Sequence, residues 1–117
     1  MNEFLNKRVA FANFVPTTAG TYVSNAIIPA GALVTSVKSV EGVALAGGTS
    51  TKFQVGSQDL TAAIVLASFT GVDTHALTDT DGLVISATAS LGVITVGTHT
   101  AGDIDVYVEY YFNGSHT

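Results

Sequence analysis

Apolar and polar residues alternate along much of this chain, most clearly over 103–112. One set of alternate positions is apolar and the other set is mixed: Ile104, Val106, Val108, Tyr110 and Phe112 against Asp105, Tyr107, Glu109 and Tyr111. Successive side chains of a β-strand point to opposite faces of its sheet. The pattern therefore predicts a strand with one face in a core and the other face half solvated.

Shorter apolar runs, separated by glycine or proline, predict further strands. They fall at 9–14, 21–28, 33–45, 51–55, 64–69, 83–88 and 93–96. The run 33–45 is compatible with one bent strand or with two. Apolar residues rarely recur at helical spacing, and the only helical candidate is a turn within 61–67.

Strands at intervals of about ten residues are typical of sandwiches and jelly rolls. We therefore predict an all-β fold: a jelly-roll-like β-sandwich of seven to nine short antiparallel strands. A closed barrel is the alternative. With 117 residues the chain has the size of a single domain, predicted to span 1–117.

The chain carries few charges: charged residues make up 11% of it, against about 25% in typical globular proteins. Thr, Ser and Gly supply much of the polar content, and such a surface is easily covered by a partner. We therefore expect a homo-oligomer, with a weakly charged monomer as the alternative.

The basic residues are confined to the first half of the chain: Lys7, Arg8, Lys38 and Lys52. Because 53–117 holds seven carboxylates and no basic residue, a phosphate backbone is an unlikely partner and we predict no nucleic-acid binding. No apolar run reaches the ~20 residues of a membrane-spanning helix, so we expect no membrane association. A basic, apolar leader is not apparent, which predicts synthesis in a cytoplasm.

Two groups of residues are candidates for an interface. Near the amino terminus, Phe4, Leu5 and Phe11 concentrate apolar bulk around Lys7 and Arg8, so that 1–15 is either an arm that joins a neighbour or an edge strand of its own domain. On the polar face of 103–112, Tyr107 and Tyr111 present two rings that also carry hydroxyl groups. Ordinary half-burial at a sheet edge explains these tyrosines equally well.

The sequence contains little evidence for a catalytic site. His75, His99 and His116 lie in polar or turn-like stretches and are predicted to be exposed loop residues, so we predict no enzyme and no catalytic residue. Asp79 and Asp81 lie in an Asp-x-Asp-Gly turn of the kind found in calcium loops, but the distal Glu of such loops is absent. We expect a plain polar turn, and neither a cofactor nor a metal that the fold requires.

Three segments together resemble small phage virion proteins of the decoration, or cement, type. They are an Ile-Pro-Ala-Gly turn before a strand at 28–34, a Thr-x-x-x-Val-Gly strand at 51–56, and the Ala-Gly-x-x-x-Val-x-Val-x-Tyr segment at 101–110. The resemblance covers roughly 26–112, with a gap in the middle.

The resemblance implies a jelly-roll-like protein, commonly trimeric, that lies on the outer capsid face and bridges subunits of the major capsid protein. It therefore implies a virion location after synthesis in a host cytoplasm. The alternative function is a carbohydrate- or receptor-binding module of a phage tail or adhesin, with Tyr107, Tyr111 and the Asp79–Asp81 turn as its site.

Overall fold

The computed structural model describes residues 6–17 and 19–112, which form ten β-strands and one short 3-10 turn. The strands are β1 Asn6–Phe14, β2 Gly20–Ile28, β3 Leu33–Ala46, β4 Ser50–Val55, β5 Gln58–Asp59, β6 Ile64–Val65, β7 Val72–His75, β8 Leu83–Val84, β9 Ala89–Val96 and β10 Ala101–Phe112, with the 3-10 turn at Leu66–Ser68. Seven of these strands have four residues or more, and three have two.

The strands form two antiparallel sheets. Sheet A has the order β1-β10-β3-β7, with β8 also paired to β3. Sheet B has the order β2-β9-β4-β5, with β6 also paired to β4. Because β1 and β3 belong to sheet A while β2 and β4 belong to sheet B, the chain crosses between the sheets at each step from β1 to β4. It crosses once more between β9 in sheet B and β10 in sheet A. This double-sheet arrangement is that of a jelly roll, and the predicted all-β sandwich is confirmed.

Strand β10 forms the centre of sheet A. It pairs with β1 from Asn6 opposite Phe112 to Phe14 opposite Ile104, with no shift of register. On its other side it pairs with β3, where shifts near both ends let the long ladder bend. The run 33–45 thus lies within one bent strand, β3, which has 14 residues, and β10 has 12. Both are longer than the short strands that the sequence predicts.

The core lies between the two sheets. Its fully buried side chains come from both of them and include Val34, Val37, Phe53, Leu91, Val93, Ile104, Val106 and Val108. The side chains of β10 that face the core are the apolar set predicted by the alternation of apolar and polar residues. Burial of apolar side chains of this size contributes about 1.5–3 kcal/mol each, which makes this layer the main stabilising element.

Two predicted strands are much shorter than expected. At 64–69 only Ile64–Val65 pairs with β4, and the chain then turns into Leu66–Ser68. At 83–88 only Leu83–Val84 pairs with β3. There Ile85 is buried, and its backbone instead exchanges hydrogen bonds with Gly31 and Ala32 (N···O distances of 2.8 and 2.9 Å). Apolar side chains reach the core in both places without a continuous ladder.

Strand β7, at Val72–His75, was not predicted because its four residues look like a polar loop. In the described part of the chain, no helix has the length and apolarity needed to cross a membrane.

Candidate interaction surface

The solvent-facing side of sheet A carries an exposed surface of mixed apolar and polar character. Residues that pair directly across an antiparallel ladder point to the same side, so the register defines this surface. We call it the outer face: Lys7, Val9, Phe11 and Asn13 of β1, Asp105, Tyr107, Glu109 and Tyr111 of β10, Lys38 and Val40 of β3, and Val72 of β7.

An aromatic pair occupies the middle of the outer face. Phe11 lies opposite Tyr107 in the register, and their ring centroids are 5.1 Å apart with a tilt of 53°. Phe11 is 51% exposed although it is in contact with Tyr107. A half-exposed aromatic pair of this kind supplies contact area at little entropic cost when a partner covers it.

Exposed apolar side chains also lie on either side of this pair, at the edges of the outer face. Val9 is 54% exposed and Val72 is 76% exposed, at the two opposite edges of the same face. Sheet B also exposes apolar side chains, namely Val23 and Ile27 of β2, Val65 of β6 and Val96 of β9. Its central strand β4 is buried along most of its length, so these side chains lie around its periphery.

Two lysines flank one carboxylate on the outer face. Glu109 Oε1 lies 3.6 Å from Lys7 Nζ, and Glu109 Oε2 lies 4.0 Å from Lys38 Nζ. Both lysine side chains are about half exposed, so each ion pair contributes little to stability. Because two lysines share a single carboxylate, this end of the outer face has a small excess of positive charge.

The opposite end of the face is acidic. Asn13 Nδ2 donates to Asp103 Oδ1 at 2.6 Å and to Asp105 Oδ1 at 2.9 Å, and it also reaches the carbonyl oxygen of Ile104 at 3.3 Å. One amide group thus holds two exposed carboxylates side by side. The outer face therefore has a positive end near Lys7 and a negative end near Asn13.

The structure brings most of the predicted interface residues together. Lys7, Phe11, Tyr107 and Tyr111 share the outer face, with Lys7 opposite Tyr111. Arg8 is on the other side of β1, where its guanidinium carbon lies 5.6 Å from the centre of the Phe112 ring. Phe4 and Leu5 lie outside the described residues. Of the segment 1–15, Asn6–Phe14 is an edge strand of its own sheet.

A groove runs between the edge strands of the two sheets. Its walls are Phe11, Ala12 and Asn13 of β1 and 23–26 of β2, and it encloses about 490 Å³ while remaining open to solvent. The groove adjoins the outer face through Phe11. The sequence pattern carried no signal for it, because it depends on how two strands from different sheets approach each other.

The prediction that His75 and His99 are exposed loop residues is wrong. His75 is 8% exposed and belongs to β7, and its Nε2 is joined to Ser39 Oγ by a hydrogen bond of 2.7 Å. Its ring also packs against Phe53 and Phe69, with centroids 5.4 and 4.9 Å away. Burial lowers the pKa of His75, and the nearby Asp73 only partly opposes this.

The Ser39, His75 and Asp73 side chains do not have the geometry of a nucleophilic triad. Ser39 is fully buried, and both carboxylate oxygens of Asp73 accept hydrogen bonds from Thr70, at 2.6 and 2.8 Å. Burial acts to raise the pKa of Asp73, but the hydrogen bonds from Thr70 and the proximity of His75 outweigh it, and the pKa is lowered. The arrangement fixes β7 to β3 and gives a substrate no access to the hydroxyl group.

His99 is 1% exposed and fills space left by a glycine. A β-carbon at Gly48 would overlap the His99 ring, and Nδ1 of that ring lies 3.3 Å from the carbonyl oxygen of Gly97. His116 lies outside the described residues. The turn-like sequence around His99 therefore gave no indication that its ring is buried.

The Asp79–Asp81 segment forms a turn in which Asp79 Oδ1 accepts a hydrogen bond of 3.1 Å from the backbone N–H of Asp81. Across the described ranges, no three His, Asp or Glu side chains gather closely enough to hold a metal ion. The geometry is that of an Asx-turn, in which a carboxylate stabilises its own loop.

Comparison with solved structures then places the fold among known ones. A chain of the "Acidic stable capsid structure of Helicobacter pylori bacteriophage KHP30" superposes with a TM-score of 0.69 at 14% identity, covering 92% of this chain and 89% of that one. The chain shares its fold with proteins found in phage capsid structures. A chain of the "Cyanophage Pam1 capsid asymmetric unit" gives a TM-score of 0.69 at 15% identity, over 96% and 89% of the two chains. No family model and no curated protein matches the sequence.

Proposed function

We propose that this protein is a non-enzymatic structural component of a phage virion that decorates the outer capsid surface and bridges subunits of the major capsid protein. The observation that carries the proposal is the outer face of sheet A, on a fold that also occurs in two phage capsid structures. The resemblance of 26–112 to decoration proteins supports the same role.

The chemistry of the outer face suits a docking role. Val72 and the Phe11–Tyr107 pair offer apolar contact area. Lys7 and Lys38 lie among them as half-exposed charges, beside the less exposed Glu109. Interfaces typically combine aromatic anchors with a polar surround in this way. A single contact of this size is weak, but a capsid repeats it many times, and multivalency converts weak contacts into firm retention.

Co-sedimentation with particles of the encoding phage, assembled without this protein, tests the proposal. We expect the wild-type protein to sediment with the particles and the Val72→Glu variant to lose most of that binding, because the change places a charge in the docked face without touching β1. Val65→Glu is the matched control: it introduces the same charge at an exposed valine of sheet B, 56% exposed, and should bind like wild type.

Two results would contradict the proposal. A wild-type protein that remains in the supernatant at every particle concentration excludes capsid binding. If the same protein binds glycans instead, the carbohydrate-binding alternative replaces the capsid role. If Val72→Glu and Val65→Glu both bind fully, the capsid is contacted by another surface.

The low charge content also predicts self-association, and the resemblance to decoration proteins predicts a trimer. Light scattering of the purified protein at high micromolar concentration measures the number of copies. A monomeric mass under these conditions would contradict self-association while leaving capsid binding open to the sedimentation test.

A further inference from the structure

The two sheets have edges of very different character. Within residues 6–17 and 19–112, one side of the sandwich ends in short strands, namely the four-residue β7 and the two-residue β5, β6 and β8. The other side ends in β1 and β2, each of nine residues. Short edge strands protect a protein from unwanted strand pairing, and long regular ones invite pairing. Only the β1–β2 side therefore offers strands long enough to extend a sheet.

Of these two long edges, β2 is interrupted. Its register with β9 breaks between Val23 and Ile27. Inside the break, Ser24 Oγ donates to the carbonyl oxygen of Leu91 at 2.7 Å and accepts from the backbone N–H of Ala26 at 3.1 Å. A bulge of this kind distorts an edge and hinders a further strand from joining it. Strand β1 has no such interruption, since it pairs with β10 along all nine residues.

The sequence of β1 leaves most of its length without charge. Lys7 and Arg8, its two charged residues, lie near one end, and 9–14 is uncharged. Val9 and Phe11 are 54% and 51% exposed on the outer face, while Ala10 is buried between them. In the part of the chain that the structure describes, β1 pairs with β10 alone.

We propose that the free edge of β1 pairs with the β1 edge of a second copy, antiparallel and about a two-fold axis at Ala10, so that the two A sheets become one. This register uses all nine residues and places Val9 of one copy opposite Phe11 of the other. Apolar cross-strand pairs of this type stabilise a ladder.

Charge complementarity supports the second copy as the occupant. In the same register Lys7 of one copy lies opposite Asn13 of the other, and Asn13 holds the Asp103 and Asp105 carboxylates. Each Lys7 therefore meets the acidic end of its neighbour, and the two-fold axis makes this contact twice. The weak, exposed pair that Lys7 forms with Glu109 leaves it free to reorient.

This inference rests on the self-association part of the proposed function and is independent of capsid binding. A contact between identical strands is isologous and closes after two copies. Edge pairing thus predicts a dimer and competes directly with the trimer that the sequence resemblance implies.

Charge reversal tests the pairing by analytical ultracentrifugation. We expect Lys7→Glu to raise the dimer dissociation constant about tenfold or more, because it sets like charges against Asp103 and Asp105 twice. Lys38→Glu is the matched control: it loses an ion pair with the same Glu109, but it lies on β3, away from the edge. It should leave the dissociation constant unchanged. Lys7→Glu combined with Asp105→Lys should restore dimer formation.

Cysteine pairing tests the register, because the chain contains no cysteine. A mixture of Val9→Cys protein and Phe11→Cys protein should form a disulfide-linked dimer on mild oxidation. Val72→Cys at the opposite edge of sheet A, mixed with either protein, should not cross-link.

Three outcomes would overturn the edge pairing: a trimeric mass, a dimer that Lys7→Glu and Lys38→Glu weaken equally, or a mixture that gives no 9–11 disulfide. None of these affects the particle-binding experiment, in which Val72→Glu leaves β1 intact. Loss of capsid binding by wild type would conversely leave the dimer measurement unaffected.

Discussion

The two edges of sheet A are held in place by different means. Strand β1 pairs with β10 over nine residues, and its core side chains are Ala10, Ala12 and Phe14. Strand β7 pairs with β3 over four residues, and the side chain that it sends into the core is His75. A long ladder with apolar contacts therefore holds one edge, whereas a short ladder with a buried polar contact holds the other. The second edge should therefore be the more sensitive to loss of a single polar contact.

The largest expected effect is at Phe53, whose ring is fully buried and packs against Phe69 and His75. We expect Phe53→Ala to lower the free energy of unfolding by about 3–5 kcal/mol, because it leaves a cavity beneath β7. Urea denaturation measures the loss. Phe11→Ala, at the β1 edge, is the comparison, and it should cost only about 1 kcal/mol. Equal losses would contradict the close packing of Phe53 beneath β7.

Ser39→Ala isolates the polar contact. The substitution leaves Nε2 of buried His75 without its 2.7 Å hydrogen bond, and we expect a loss of about 1–3 kcal/mol. Hydrogen exchange adds a local measurement: the amides of 72–75 should exchange faster in the variant, while those of 6–14 stay protected. A variant as stable as wild type would show that packing against the two rings suffices.

Acid should weaken the β7 edge selectively. Burial lowers the pKa of His75 below its ordinary value of 6.5, so the folded protein favours the neutral ring. The unfolded chain then binds more protons than the folded one, and stability falls as the pH drops below 6.5 towards the folded pKa. We expect the Tm to be constant above this value and to fall below it.

His75→Gln provides the control for acid sensitivity, because an amide can bond to Ser39 without titrating in this range. The Tm difference between wild type and His75→Gln should shrink as the pH falls from 7 to 5. Parallel profiles would rule out His75 as the source. The lowered pKa of Asp73 acts in a separate window, below its ordinary value of 3.8.

The smallest expected effect concerns the two ion pairs of Glu109 on the outer face. Replacing Lys7 or Lys38 by Met removes one contact to Glu109, and we expect each change to cost less than about 1 kcal/mol. Thermal unfolding in low and in high salt measures both. A larger loss at Lys7, present only at high protein concentration, would reflect the proposed pairing between copies.

Strands of sheet A also differ in how well the sequence predicts them. Strand β10 alternates apolar and polar side chains over ten residues, and this pattern depends on burial of one face against the core. The prediction of that face rests on this regularity, whereas the surface that Phe11 shares with Tyr107 follows only from the β1–β10 register. Strand β7 has no such pattern, because its inward residue is a histidine whose burial depends on Ser39, 36 residues away in the chain.

Other differences between the predictions and the structure also arise from contacts between residues that are far apart in sequence. Ile85 reaches the core through hydrogen bonds with Gly31 and Ala32, which a local pattern cannot distinguish from a strand. His99 is buried because Gly48, about fifty residues earlier, leaves room for its ring. The placement of Arg8 on the side of β1 opposite to Lys7 follows from strand geometry once β1 is identified, but the acidic end of the outer face depends on the β1–β10 register.

The central position of β10 also bears on synthesis of the protein. Strands β1 and β3 lie on either side of it, and partners such as Asn13 and Asp103 are 90 residues apart in sequence. During translation, β1 and β3 are synthesised long before β10, so neither has this partner strand to pair with. Sheet A therefore assembles only when β10 emerges. Such non-local pairing makes folding slow and leaves strand edges exposed to aggregation in the meantime. A translation product that stops before residue 101 should therefore be captured by chaperones or degraded.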